Sequence, residues 1–294
     1  MSAKIIDGRK TADEILDELR QEVDELKAKG CEPRLRVILV GDNPASKIYV
    51  NRKQKACENI GILSDTIHLD ATTTEEELLS LIIELNKDSS VHGILVQLPL
   101  PEQIDEKNVI EAISPSKDVD GFHPINRGRL SVGQECFVAC TPAGIQQLLL
   151  RNGYDPAGKH VVVVGRSSIV GMPMAILMAQ KQKGANATVT ICHTGTKDIK
   201  HHTMQADILV VAAGRANFVT ADMIKPGSIV IDVGMNRVDD PSAKRGYRLA
   251  GDVDFEKAKE IAGAITPVPG GVGPMTIAML LSNTVKAAKL LHYS

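Results

Sequence analysis

Short, wholly apolar runs alternate along the chain with longer stretches whose apolar residues recur every three or four positions. The runs predict strands buried on both faces, and the stretches predict helices with one buried stripe. After Thr11, the spacing of Ile15, Leu16, Leu19, Val23 and Leu26 marks a helix. Thr11 with Glu14 reads as its capping box and Gly30 as its stop. A strand at 36–41 follows, then a helix from Ser46 to Gly61, a strand at 65–70 and a helix from Thr74 to Asn86 opened by Thr74 and Glu77. The run 92–101 is a strand that stops at prolines, so residues 36–98 make one βαβαβ unit. From Pro115 to Pro142 the rhythm breaks into turn residues, which predicts a loop and linker at a domain boundary.

A helix near 144–153 opens the second half. Strands are then expected at 160–165, 187–192, 207–214, 228–234 and 263–271, with a helix at 172–183. This is the pattern of a parallel sheet in an α/β fold with two domains. A last apolar helix, Pro274 to Leu291, is expected to return to the first domain. The expected domains are therefore 1–140 plus 274–294, and 141–273. Cys140–Thr141 is the natural hinge.

Composition narrows the function. Lys and Arg number 34 against 36 Asp and Glu, a net charge of −2, with no basic cluster of the kind a phosphate backbone needs. Trp is absent, which leaves few platforms for stacking bases. Nucleic acid is therefore not an expected partner. Cys31, Cys57, Cys136, Cys140 and Cys192 form no CxxC pair, so neither a disulfide framework nor zinc spacing is present. The start, MSAKIIDGRK, has no apolar signal core, and no apolar run approaches the length of about 18 residues that a membrane span needs. A soluble cytoplasmic protein without a membrane or metal partner is expected.

The segment from Gly165 through Arg166, Ser167 and Ser168 to Gly171 joins a predicted strand to a helix that has Pro173 near its first turn. A glycine-bearing turn feeding a helix N-terminus suits a phosphate, because free N–H groups and the helix dipole both favour an anion. A site for NAD wants Asp or Glu after the second strand, to accept from the ribose 2′-hydroxyl. Here that strand is followed by His193, Thr194, Gly195 and Thr196, with no acid before Asp198. Arg166 and Thr194, without a repelling carboxylate, suit the 2′-phosphate of NADP. The blander alternatives are a solvated arginine and a plain turn threonine.

In the first domain Tyr49 and Lys53 lie four apart on one predicted helix face. Such a pair is usually solvated, but near an enclosed site the lysine can act as an acid or base. Gln97 ends a parallel strand, where a polar side chain points toward the usual ligand crevice. Asp118 and Asp120 stand two apart in a turn, where one can cap the loop while the other faces a ligand. Lys200, His201 and His202 read as a solvated helix start. Cys140, with no paired base, reads as a buried small residue.

These segments resemble the bifunctional methylenetetrahydrofolate dehydrogenase/methenyltetrahydrofolate cyclohydrolase (FolD) family. The resemblance is carried by SKIYVNRKQKACENIGI (46–62), GILVQLPLP (93–101), SPSKDVDGFHPINRGRL (114–130), CTPAGI (140–145), GRSSIVGMPM (165–174), IVIDVGMNR (229–237) and TPVPGGVGPMT (266–276). It runs from about Lys4 to the end of the chain. It implies a cytosolic homodimer whose subunits have an N-terminal α/β catalytic domain for folate and a C-terminal Rossmann-like domain for NADP. The substrate cleft would lie between the two. The implied reactions are oxidation of 5,10-methylenetetrahydrofolate by hydride transfer to NADP, then hydrolysis of the methenyl product to 10-formyltetrahydrofolate. Lys53 matches the family's catalytic lysine, Tyr49 the tyrosine near the folate, and Gln97 the glutamine that contacts the lysine. Asp120 matches the aspartate on the pterin edge. Val96 and Leu98 would flank the folate, with Pro269, Gly270, Gly271, Val272 and Gly273 as the loop over it. Gly165, Arg166, Ser167 and Thr194 match the NADP turn and its neighbour, and Met235 a contact on the nicotinamide side. Ser168 and the His193–Thr196 turn depart from the commoner family pattern beside the 2′-phosphate. A dehydrogenase with little cyclohydrolase activity and a non-catalytic NADP-binding protein are the alternatives.

Overall fold

The computed structural model describes residues 2–243 and 246–292. In chain order the elements are β1 (Lys4–Ile5), α1 (Gly8–Ala28), β2 (Arg34–Val40), α2 (Pro44–Ile60), β3 (Leu63–Leu69), α3 (Glu75–Lys87), β4 (Gly93–Val96), α4 (Glu106–Ala112), α5 (Pro124–Ser131) and α6 (Cys140–Arg151). There follow β5 (His160–Val164), α7 (Gly171–Ala179), β6 (Thr188–Cys192), α8 (Ile199–Thr203), β7 (Ile208–Val211), β8 (Ile229–Asp232), β9 (Asn236–Asp239), β10 (Tyr247–Ala250), α9 (Phe255–Ala258), β11 (Ala264–Ile265) and α10 (Val272–His292).

The chain divides into two compact units. One holds Asp13–Cys140 and the chain from Ile277 onward. Its sheet has the order β3-β2-β4, with both pairings parallel. Ile38, Val40, Ile94 and Val96 of the sheet pack with Leu78, Ile82 and Leu85 of α3 and Val109 of α4. The helix α2 is bounded as its sequence dictates. Asn43 accepts from Ala45 N and Ser46 N at its start, and Gly61 closes it in the left-handed conformation at φ 81°. The Thr74–Glu77 capping box forms in full at the start of α3.

The other unit holds Thr141–Thr276 and the chain up to Ala12. Its six-stranded sheet has the order β1-β11-β8-β7-β5-β6, with every pairing parallel. The β-strand residues Val162, Val164, Leu209, Val211 and Val230 form its core with Val219, Ile224 and Val253.

Five features depart from the sequence expectations. Residues 1–12 were expected with the first domain, yet Lys4 and Ile5 pair with Ala264 and Ile265 at the edge of the larger sheet. The first helix is opened by Asp7, whose Oδ1 accepts from Arg9 N and Lys10 N, one turn before Thr11. The hydroxyl of Thr11 donates to Asp7 O instead of capping. The stretch 115–142 was expected to be loop, but it contains α5, begun by Pro124 with His123 Nδ1 accepting from Ile125 N. The helix expected to run to 183 ends at Ala179, where Gln180 turns extended. The β9–β10 hairpin was not foreseen.

Candidate functional site

In the unit with the smaller sheet, α2 carries Tyr49 and Lys53 and β4 leads directly into Gln97. Lys53 Nζ donates to Gln97 Oε1 at 3.0 Å. Gln97 is oriented in turn, because its Nε2 donates to Leu98 O at 2.7 Å and its backbone N–H to Ile38 O at 2.9 Å. A carboxamide whose NH2 end turns to Leu98 O presents its oxygen to the lysine and holds it without itself adding a charge. Tyr49 stands one turn earlier on α2 and is 38% exposed.

Asp118 and Asp120 divide their work. The Asp118 carboxylate is buried and accepts from Phe122 N at 3.1 Å, His123 N at 2.8 Å and Asn126 Nδ2 at 2.8 Å. It folds the turn and starts α5. Asp120 is half-buried, and the hydrogen bond to its side chain among the described residues is a long one from Cys140 Sγ, at 3.9 Å. Burial pushes the Asp120 carboxyl above its usual range, the Lys53 cation pulls it back and the Asp118 charge pushes it further up. Val96, Leu98, Asp118 and Asp120 line a small apolar cavity of about 20 Å3, room for about one water. Cys140 is buried, and desolvation raises its thiol well above the ordinary value, which leaves it protonated rather than nucleophilic.

In the unit with the larger sheet, a cavity of about 490 Å3 opens at the ends of β5 and β7. Gly165, Arg166, Ser167 and Thr194 line it, together with His193, Ala212, Ala213, Arg215 and Phe218. The glycines at the turn are dictated by space. A Cβ on Gly165 would stand 2.2 Å from Ala212 O, and one on Gly171 would stand 2.2 Å from Gly165 O. Ser167 Oγ accepts from Val170 N and Gly171 N at 3.2 and 3.4 Å, which ties the turn to the start of α7. Two guanidinium side chains and no carboxylate stand among the lining residues, which is the donor set that a 2′-phosphate wants.

Pro269–Gly273 lies in this same unit. Gly270 O accepts from Gly8 N at 3.0 Å, and a Cβ on Gly8 would collide with Gly271 O. The loop is thus seated on the start of α1. Met235, 41% exposed, approaches Gly273, since a Cβ there would lie 3.3 Å from Met235 Cε. The structure therefore gathers Lys53, Gln97 and Asp120 in one unit. In the other it gathers Gly165, Arg166, Ser167 and Thr194 at one cavity and sets Met235 beside the 269–273 loop.

Comparison with known proteins matches residues 6–120 to the tetrahydrofolate dehydrogenase/cyclohydrolase catalytic domain and residues 139–292 to the same family's NAD(P)-binding domain. The chain belongs to the tetrahydrofolate dehydrogenase/cyclohydrolase family. It is 60% identical to the bifunctional protein FolD of Chlorobium limicola, over 96% of this chain and 97% of that one. A solved structure of the bifunctional enzyme FolD from Campylobacter jejuni is 52% identical with a TM-score of 0.93, covering 98% and 99% of the two chains. A Trypanosoma brucei FolD structure, complexed with NADP cofactor and an inhibitor, is 42% identical with a TM-score of 0.93 and covers all of both chains. The two-domain α/β architecture with a catalytic and an NAD(P)-binding domain is thus the family's own.

Some tetrahydrofolate dehydrogenase/cyclohydrolase residues at these sites escaped the sequence reading. Arg215 and Phe218 follow β7 in a run that carries no motif, and their only signal was position beyond a parallel strand. Asp232 and Asp252 are buried in the same unit, and single acids at the ends of apolar runs gave no hint of pairing. Among the described residues no three His, Cys, Asp or Glu side chains group as metal ligands, and no helix is long and apolar enough to cross a membrane.

Proposed function

We propose that this chain oxidises 5,10-methylenetetrahydrofolate with NADP and hydrolyses the resulting methenyl compound to 10-formyltetrahydrofolate. The observation that carries the reading is the lysine held at 3.0 Å by a glutamine beside a carboxyl of raised pKa. Hydride loss from the methylene carbon produces a resonance-stabilised cation, so that step needs orientation more than a base. Hydrolysis moves protons, and Lys53 is the group we assign to move them. Gln97 keeps the lysine in position. Among the described residues no backbone N–H donates to the Asp120 carboxylate, and an amide with an adjacent amino group supplies the two N–H groups it needs. That is the edge a pterin presents.

NADP, when bound, accepts the hydride at C4 of its nicotinamide. The residues fit it: Gly165 and Gly171 leave room that a Cβ would fill, Ser167 shapes the turn, and Arg166 with Thr194, both in the cavity wall, would hold the 2′-phosphate. Val96 and Leu98 are assigned to the folate, as is the 269–273 loop, and Met235 is assigned to the nicotinamide side. The reading extends to a homodimer in the cytoplasm, supported by the family likeness. An elution volume of a single subunit would remove the dimer.

The test is to supply 5,10-methylenetetrahydrofolate with NADP and with NAD in parallel. Reduction of NADP in preference to NAD is expected, and reduction of neither sinks the dehydrogenase. Arg166→Ala should weaken NADP by about tenfold to a hundredfold and leave NAD nearly unchanged, since a charged contact to phosphate is lost. Equal losses for both would remove the role given to Arg166.

A further inference from the structure

We infer that Asp252, far from any predicted motif, is a positioning residue for the nucleotide, because its carboxylate folds the turn that carries Arg215 into the cavity wall. The side chain is fully buried. Three consecutive backbone N–H groups converge on it: Ala213 N at 2.6 Å and Gly214 N at 2.8 Å on Oδ2, and Arg215 N at 3.0 Å on Oδ1. Asn236 Nδ2 adds a fourth contact, to Oδ1 at 2.8 Å. Successive N–H groups aimed at one point form a nest for an anion. Here the protein fills the nest with its own carboxylate. The amides of this turn are therefore withheld from the cofactor, and phosphate contacts fall to the Gly165–Gly171 turn. What the 212–215 turn gives the cavity is its outward surface: Ala212, Ala213 and the Arg215 guanidinium, which lies 5.8 Å from the Phe218 ring centre.

Asp252 is itself held. Its backbone N–H donates to Asp232 Oδ1 at 2.9 Å, and Asp232 also accepts from Gly234 N at 3.0 Å and Val253 N at 3.0 Å. The fit allows no spare atom. A Cβ on Gly251 would stand 1.8 Å from Asp232 Oδ2, and one on Gly234 would stand 2.3 Å from Asp252 Oδ1. Two carboxylates thus tie the ends of β7 and β8 together, and Met235 sits on the segment they clamp.

The inference rests on reading the cavity as the NADP site, and the experiment separates the two. Calorimetric NADP binding is compared with methenyltetrahydrofolate hydrolysis measured without NADP. Asp252→Asn puts an NH2 where two N–H groups point. It should weaken NADP at least about tenfold and leave hydrolysis within about twofold. Arg215→Ala should weaken NADP by a similar factor, and the double variant should be no weaker than either single one, because Asp252 acts through Arg215. Unchanged NADP affinity in Asp252→Asn, or losses that multiply in the double variant, would overturn the inference. A wild-type protein that binds no NADP overturns the underlying reading instead. Should Asp252→Asn fail to fold, Asn236→Ala takes its place. It keeps the carboxylate and its three backbone donors, and is expected to weaken NADP several-fold; unchanged affinity there would also overturn the inference.

Discussion

Each unit holds a pair of aspartates, both buried in the larger-sheet unit, one buried and one half-buried in the other, and the pairs are treated differently. In the larger-sheet unit both carboxylates are saturated. Asp252 receives four donors and Asp232 three, all from the protein. In the smaller-sheet unit only Asp118 is saturated, with three donors, while Asp120 has the distant Cys140 thiol and the charge of Lys53 nearby. Burial alone therefore does not mark a functional acid. A carboxylate whose lone pairs are already used by backbone N–H groups serves the fold. One left short of donors beside a lysine is available to a ligand.

The largest effect expected is on Lys53. Lys53→Met should lower methenyl hydrolysis by about a thousandfold and hydride transfer far less, since proton movement belongs to the second step. A folded variant that still hydrolyses the methenyl compound would remove the reason for setting Asp120 apart. Next comes stability. Asp118→Ala orphans buried donors and should cost about 3–5 kcal/mol in urea unfolding, whereas Asp120→Asn should keep the midpoint and lose folate turnover. Equal losses of stability would erase the distinction between the two acids. The smallest effect concerns Asp232, whose pKa burial raises to about 6 from an ordinary 3.8. The folded state then holds its proton more tightly than the unfolded chain. This contribution to stability is full below about pH 4 and is lost as pH rises through 6. The gap of 6 minus 3.8 corresponds to about 3 kcal/mol at most. The wild type should gain on Asp232→Asn by up to that amount between pH 7 and pH 4, and a flat difference would contradict the assignment.

Much of this was legible in the chain. The Thr74–Glu77 box, the Gly61 stop and the glycine turn at 165–171 are local signals, and local hydrogen bonding carries them out. Lys53, Gln97 and Asp120 were singled out because motif and position agreed, and the structure sets Lys53 against Gln97. What stayed hidden depends on partners distant in sequence. β1 gains its strand character from residues 264 and 265, which no periodicity near Lys4 announces. The helix α5 is ordered by a polar network from Asp118 and Asn126 rather than by an apolar stripe, so its sequence looks like turn. Asp252 has a role only through the 213–215 amides, nearly forty residues away.

The edge strand β1 also bears on how the protein is made. Lys4 and Ile5 are translated about 260 residues before their partners Ala264 and Ile265. The smaller-sheet unit likewise needs the chain beyond Ile277. Neither unit can close during vectorial synthesis until the chain past Ile265, for one, and past Ile277, for the other, has been made. Long-range closure of this kind slows folding. Fragments cut at any single point in the gene should inherit unpaired sheet edges or uncovered apolar faces. The two matched family segments, 6–120 and 139–292, are therefore sequence modules rather than separable folding bodies.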